Sequence, residues 1–418
     1  MFLSSTIRAC RVAFLSPLVL AVTCSAQTWT EARILELFAQ QSPQAAAARA
    51  QIAVTRADAR GRGLYGNPSF SYSREGAGFT EFFQAEQTLP LTGRIGILRQ
   101  AVAPAVGAAE ADAEALIWQL RAEVRLAFYR LLALQDRQEV LNTTTRDLQE
   151  VIRVLATRER EGEGSRFDRL RWERELVELR SELALVQAQS AQARSRMLEF
   201  LPQGTEISKV EGTSISTQEL PELSELQTQA LASRSEIRAD QQLVARLRLE
   251  QQAAGRLRYP EPVLAGGLKR ADTIDFSQPG RMPSERTQNG VFVGITVPIP
   301  SFNRGQAEMV RLQAEQTRID AHRQALEHQV RAQVTGAYQT LNLRRQAIES
   351  YRRELGGRNE ELLKIAQTAY QEGEVGILEL LDVFRLQRQS QQRLIELGSA
   401  AREAQIELER VMGREVTK

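Results

Sequence analysis

Apolar residues recur along this chain with a step of seven, in two long stretches that superimpose. Trp172, Leu179, Val186, Ala193 and Phe200 form one seam, with Leu176, Leu183, Ser190 and Met197 beside it. A shift of 211 residues lays the first seam on Val383, Ser390, Leu397, Ala404 and Val411, and the second on Gln387, Leu394, Ala401 and Leu408. The internal alternation of three and four is that of helices wound as a left-handed coiled coil. Leu134, Leu141, Leu148 and Leu155 mark a further seam on the helix before the first arm. The chain therefore reads as a tandem duplication, in which each unit buries its apolar face against neighbours.

Each copy follows one order. Short amphipathic helices come first, over 30–41 and 43–65, then over 222–232 and 235–259. Asn67-Pro68 and Tyr259-Pro260-Glu261-Pro262 stop them, because proline cannot continue a helix. A strand pair follows, 69–74 with 81–89 and 263–269 with 291–297. Phe82-Phe83 stands in the first pair, and the second is rich in valine. Between the second pair, Arg270 to Gly290 is polar and rich in Pro, Gly and Ser, and reads as an exposed excursion. Pro-containing turns then lead into very long helices, over 106–161 and 304–371. The second has no proline and would run on the order of 100 Å uninterrupted. Each long helix turns at a glycine, Glu161-Gly162-Glu163-Gly164-Ser165 or Gln371-Glu372-Gly373-Glu374-Val375-Gly376, and a second long helix returns. The expected division is a leader over 1–26, one repeat over 27–201, a linker over 202–221 and a second repeat over 222–418.

Composition narrows the class. The chain has 418 residues, 42% hydrophobic and 25% charged, so it is not a disordered chain. Arg8 and Arg11, the apolar run Val12–Val22 and the small residues Cys24-Ser25-Ala26 read as a secretory leader, with the mature chain starting at Gln27. Acylation at Cys24 would instead make a lipid anchor, although Thr23 fits that signal poorly. Both cysteines, Cys10 and Cys24, lie in this leader, so the mature chain has no thiol chemistry. The formal charge of +2 falls to zero without Arg8 and Arg11, which leaves no basic surface for nucleic acid.

Candidate chemistry is sparse. Gly61-Arg62-Gly63-Leu64-Tyr65-Gly66 spells a dinucleotide fingerprint, but it follows a helix and precedes a proline break, not the strand-to-helix setting the motif needs. His322 and His328 are six apart on a helix and do not share a face. No set of nucleophile, base and orienting residue is recognisable, so no enzyme, cofactor or resident metal is expected. No apolar run in the body approaches the roughly 18 residues of a spanning helix. Any crossing there must use strands, and four strands cannot close a barrel that needs about eight or more. Strands in lipid would therefore have to be pooled among copies of the chain.

The leader, the doubled plan and the segments Ala369-Tyr370-Gln371-Glu372-Gly373 and Leu378-Glu379-Leu380-Leu381-Asp382 together resemble the TolC-type outer membrane factors. Gln87-Thr88-Leu89-Pro90-Leu91-Thr92-Gly93-Arg94 and Thr296-Val297-Pro298-Ile299-Pro300-Ser301-Phe302-Asn303-Arg304-Gly305-Gln306 further resemble the cobalt-zinc-cadmium (CzcC-like) branch. The resemblance implies a mainly α fold with a β-barrel part. Long helical hairpins would form an α-barrel in the periplasm, and four strands per chain would join a shared twelve-stranded barrel in the outer membrane of a homotrimer. It implies a passive exit duct served by a periplasmic adaptor (membrane fusion) protein and an inner-membrane pump of the RND type, with heavy-metal cations as cargo. Drug, solvent or type I protein export are the alternative cargoes.

The resemblance also assigns roles to residues. Glu379 and Asp382, three apart on one helix face, would face the lumen near the closed tip as rings of carboxylates. Read from the residues alone, they equally suit a solvated helix start, where acids favour the N-terminal dipole. Asp168, the counterpart of Glu379, would help hold the tip closed. Its usual basic partner falls near Val375, which is not basic, leaving Arg166, Arg169 and Arg171 as alternatives. Gly162, Glu163, Gly164, Gly373, Glu374 and Gly376 would form the adaptor-contacting tips, or simply turn the hairpins. The rival class is a periplasmic coiled-coil scaffold without a pore, which would have no use for the aromatic and valine-rich strand pairs.

Overall fold

The computed structural model describes residues 28–76, 80–213, 220–275 and 284–416. The leader and Cys24 lie outside these. The described chain opens with a short strand β1 (Thr28–Thr30) and two short helices, α1 (Glu31–Gln41) and α2 (Pro43–Arg62). Thr30 and Ser42 begin these helices by accepting hydrogen bonds from the amides of Arg33 and Ala45, and Pro43 fills the first position, where its missing N–H costs nothing. Strands β2 (Ser69–Glu75) and β3 (Thr80–Thr88) follow, then α3 (Arg94–Gln100) and the 59-residue helix α4 (Val102–Arg160). Helix α5 (Arg166–Leu198) returns, capped by the Ser165 hydroxyl accepting from the Phe167 amide. After strand β4 (Lys209–Glu211), the order repeats as α6 (Leu223–Ser233), α7 (Ser235–Gly255), β5 (Val263–Asp275), β6 (Ser284–Thr296), α8 (Gln306–Leu355), α9 (Arg358–Glu372) and α10 (Ile377–Met412).

Three features depart from the sequence reading. The polar stretch 270–290, read as an excursion, is largely strand: β5 and β6 pair in register out to Asp275 and Ser284. Polar side chains argue against burial in a core, but a ladder needs only backbone groups, and each strand supplies the other's partners. Strands β1 and β4 pair in parallel, which puts a piece of sheet inside the expected linker; three residues carry too little periodicity to be noticed. The long second helix is not continuous. It breaks at Gly356-Gly357, where Gly357 has φ +82°, and α4 has no such break because no glycine stands at the matching place.

The strand pairs of the two copies form one antiparallel sheet in the order β2-β3-β5-β6. At its foot the Pro-containing turns are tied across copies. The Leu89 amide donates to the Pro262 carbonyl (2.8 Å), and Glu261 accepts from Arg94 (3.1 Å) and Thr92 (3.2 Å).

The core is strung along the helices in separate clusters. Leu141, Leu148 and Leu155 of α4 pack with Trp172, Leu176 and Leu179 of α5 and with Leu380, Leu381 and Phe384 of α10. The Trp172 ring meets Phe384 edge-on at 5.7 Å, a geometry the aromatic quadrupole favours. A second cluster unites α1, the middle of α4 and the end of α5 around Phe38, Phe128 and Met197. Beside it lies a buried ionic group. Arg125 is shared by Glu31 (2.5 Å) and Glu409, while Tyr129 donates to Glu31 (2.5 Å), and Arg402 reaches Glu31 at 3.1 Å. Burial pushes the Glu31 carboxyl up, but Arg125, the Tyr129 hydroxyl and Arg402 outweigh it and hold it below the usual range. Burial, helped by Glu31, pushes the Tyr129 phenol up to about 12. The group ties α1, α4 and α10 together.

Candidate functional site: an apolar sheet face and the hairpin tips

Side chains alternate across the sheet, so register decides which residues share a face. Tyr72, Phe83, Leu268 and Val291 stand in one row, and Phe70, Ala85, Gly266 and Val293 in the next. Leu264 and Ile295 continue this face below them. It is apolar and bare: Val291 is 82% exposed, Val293 78% and Ile295 68%. Val297 and Ile299, just beyond the end of β6, are apolar and exposed as well. At ~3.3 Å per residue, the part of this stripe that lies within β6, Val291 to Ile295, spans roughly 13 Å. Above it the same face turns polar with Arg74, Glu81, Arg270 and Asn289. Below it stand exposed Tyr65, Tyr259 and Phe302, amphipathic and aromatic side chains of the kind that gird a membrane interface.

The opposite face is small and polar, with Ser69, Ser71, Ser73, Gln84 and Glu86. It is also the less exposed face: Phe82, Gln84 and Phe292 are half-buried where Phe83, Val291 and Val293 are exposed. Both edges of the sheet, β2 and β6, are without a strand partner among the described residues. In water an open edge invites association, and in lipid each unpaired group costs several kcal/mol.

The hairpin tips are built alike. Gly162 (φ +78°) and Gly373 (φ +79°) end α4 and α9 in the left-handed conformation. Beyond them the Glu163 amide donates to the Arg158 carbonyl (2.9 Å) and the Glu374 amide to the Ala369 carbonyl (2.8 Å), the closing bond of a Schellman cap. Gly164 and Gly376 differ. A Cβ on Gly164 would meet the Glu159 backbone nitrogen at 3.0 Å, whereas one on Gly376 would meet only the Glu379 carboxylate, a mobile side chain, at 2.6 Å. Glu163 and Glu374 are exposed.

The acids singled out from the sequence stand as follows. Glu379 is exposed in the first turn of α10. Asp382 is exposed one turn on, with Arg385 at 3.6 Å. Asp168 is half-buried in the first turn of α5. Of its alternative partners, Arg169 is engaged by Glu159 (2.5 Å) and Glu173 instead. Val375 is half-buried and apolar. The two tips are instead joined through Arg158, whose guanidinium reaches the Tyr370 hydroxyl (3.4 Å) and lies over that ring.

Sequence reasoning missed a polar ladder above the tips. Glu175 of α5 accepts from Arg385 (2.5 Å), and Arg388 lies 3.7 Å away. Seven residues on, Glu182 accepts from Arg137 of α4 (2.7 Å) and Gln392 (3.0 Å) and pairs with Arg388 (3.4 Å). Burial pushes Glu182 up, and the bonds from Arg137 and Gln392 with the Arg388 charge bring it below the usual range. The seven-residue spacing beside the apolar seam was the available signal. The outer stripes beyond this ladder are apolar and exposed: Phe167, Leu170, Val177 and Leu185 on α5, and Leu343, Leu362 and Ile365 on α8 and α9.

A helical wall that ends in an open, outwardly apolar four-stranded sheet is the fold of the outer membrane efflux channels. Residues 226–414, just under half of the chain, match the family model described as outer membrane efflux protein. Solved structures match along most of the chain. CusC is 18% identical with a TM-score of 0.71, covering 92% of either chain. The open state of the MtrE outer membrane channel of Neisseria gonorrhoeae is 17% identical with a TM-score of 0.68, over 93% of this chain and 91% of that one. The outer membrane protein VceC of Vibrio cholerae is 16% identical with a TM-score of 0.68, over 93% and 97%. No curated protein matches the chain.

Proposed function

We propose that this chain is the exit duct of a tripartite efflux system, a passive channel through the outer membrane. One observation carries the proposal: a sheet apolar on one face and, among the described residues, open at both edges, which would be completed by other copies pairing with it. Three copies would bring 3 × 4 = 12 strands, an even number within the range of such barrels. The exposed surface supports this. It is 27220 Å², against about 16,000 Å² for a compact monomer of this length. The apolar stripes on α5 and on α8 and α9 would meet between neighbours.

In this reading 27–201 and 222–418 are the two repeats, joined by 202–221. The tips, around Gly162, Glu163, Gly164, Gly373, Glu374 and Gly376, receive a periplasmic adaptor, and the adaptor connects to an inner-membrane pump of the RND type. Glu379, Asp382 and Asp168 line the narrow end, where three copies of each acid would concentrate cations. That suits heavy-metal cations, the cargo implied by the resemblance of the turns at the foot of the sheet to the CzcC-like branch. Organic cargo is a second reading, favoured by aromatic side chains on the inner face of the sheet.

Reconstitution in planar bilayers tests the channel. Discrete, cation-preferring conductance from a detergent-solubilised, outer-membrane-derived particle is expected. A protein that stays soluble and monomeric without detergent and carries no current would refute the proposal and favour a scaffold.

A further inference from the structure

The face of the sheet opposite the apolar band carries mostly small and polar side chains, and two large aromatic ones stand out on it. Phe82 on β3 and Phe292 on β6 project from it at neighbouring levels, their ring centres 6.2 Å apart and their planes at 80°. They reach each other across β5 because Gly267 lies between them. A Cβ there would meet the Phe83 carbonyl oxygen at 2.0 Å and the Phe292 ring at 3.0 Å. Lys269 is the cross-strand partner of Phe82, and its ammonium lies 5.4 Å from that ring's centre. Covering a glycine accounts for one ring, Phe292, but not for the second or for the lysine. Of the other charges on this face, Glu75 on β2 is the diagonal neighbour of Phe82, about 7–8 Å across the ladder and on the side away from Lys269. Glu86 is four positions along β3 from Phe82, on the order of 13 Å away, and Arg286 is four positions along β6 from Gly290, the partner of Lys269.

We propose that Phe82, Phe292 and Lys269 form a contact site on the inner wall of the barrel for aromatic organic anions in transit. An edge-to-face pair presents a ring face and a ring edge to a third ring, and the ammonium beside it complements a carboxylate or sulfonate. Each copy in the assembly supplies one site. Such a site holds cargo weakly and repeatedly near the exit, as conduction requires. It favours planar anions over cations of the same shape. The proposal rests on the exit-duct reading with organic rather than metal-cation cargo, since only a closed barrel makes this face an inner wall.

The test uses the purified full chain in planar bilayers with two probes, 2-naphthalenesulfonate and 2-naphthylmethylammonium. The sulfonate is expected to interrupt the wild-type current and the ammonium probe to do so far less. Replacing both rings (Phe82→Ser with Phe292→Ser) should shorten the interruptions about tenfold while leaving an open channel. Lys269→Glu, which keeps both rings, should reverse the preference between the probes. Interruptions unchanged without the rings, or a preference unmoved by Lys269→Glu, overturn the site while the duct stands. Absence of any current from wild type overturns the duct reading and the site with it.

Discussion

At the scale of single residues, the buried group around Arg125 sets the strongest expectation. Its side chain is 9% exposed and that of Glu409 2%, so removing one charge strands the other away from water. Arg125→Met should destabilise by about 3–5 kcal/mol, read as a fall in the thermal midpoint of the assembled particle. The sign with pH follows from Glu31. Its folded pKa lies below the unfolded value of about 4.3, so its contribution is fully present above pH ~4.3 and is lost as pH falls through the lower folded value. The thermal midpoint of wild type should drop between pH 5 and pH 3, and Glu31→Gln should flatten that drop. An equal slope in the variant would assign the acid sensitivity elsewhere. None of these partners was legible in the sequence, because Glu31, Arg125 and Glu409 are far apart in the chain and have no shared period. The seam residues were legible for the opposite reason. Trp172, Leu179 and Val186 repeat at a helical step, and all three are buried.

At the scale of elements, glycines separate turns that only close a hairpin from positions that can be varied. Gly357 holds a left-handed φ between α8 and α9, and alanine there should cost roughly 1–2 kcal/mol, seen as lost protection of amides around the break in hydrogen exchange. Gly376 has an ordinary φ, and its only close neighbour is a mobile carboxylate. Gly376→Leu should leave the assembly's melting unchanged while abolishing efflux in cells, if the tip is a docking surface. Unchanged resistance in that variant would leave the tip a plain turn. Gly164 is a poorer probe, since a side chain there presses on the α4 backbone. The doubled order of helices and strand pairs was readable because period and proline breaks are local signals. The extension of β5 and β6 was not, since a polar strand that packs on no core has no alternation to read. The break at Gly356-Gly357 was overlooked because a glycine pair inside a helical pattern has two readings, tolerated or terminating.

At the scale of the whole molecule, the proposal of a pipe assembled from identical chains is supported by sheet edges left open among the described residues, by the apolar sheet face and by the excess surface. If Glu379 and Asp382 line its narrow end, Glu379→Gln with Asp382→Asn should lower the cation-to-anion permeability ratio several-fold, measured as a shift in reversal potential across a salt gradient. A ratio unchanged by the double variant would place these acids on the outer surface. The claim beneath all of this is that β2 of one chain pairs with β6 of the next. The chain has no cysteine after residue 24, so single cysteines placed on β2 (at Phe70 or Tyr72) and on β6 (at Val291 or Val293) can be oxidised in membranes without competition from the described chain. The account predicts covalent dimers and trimers, and nothing larger, on a reducing-sensitive gel for at least one pair. Monomers alone from every pair, in membranes where the protein is present, would contradict it.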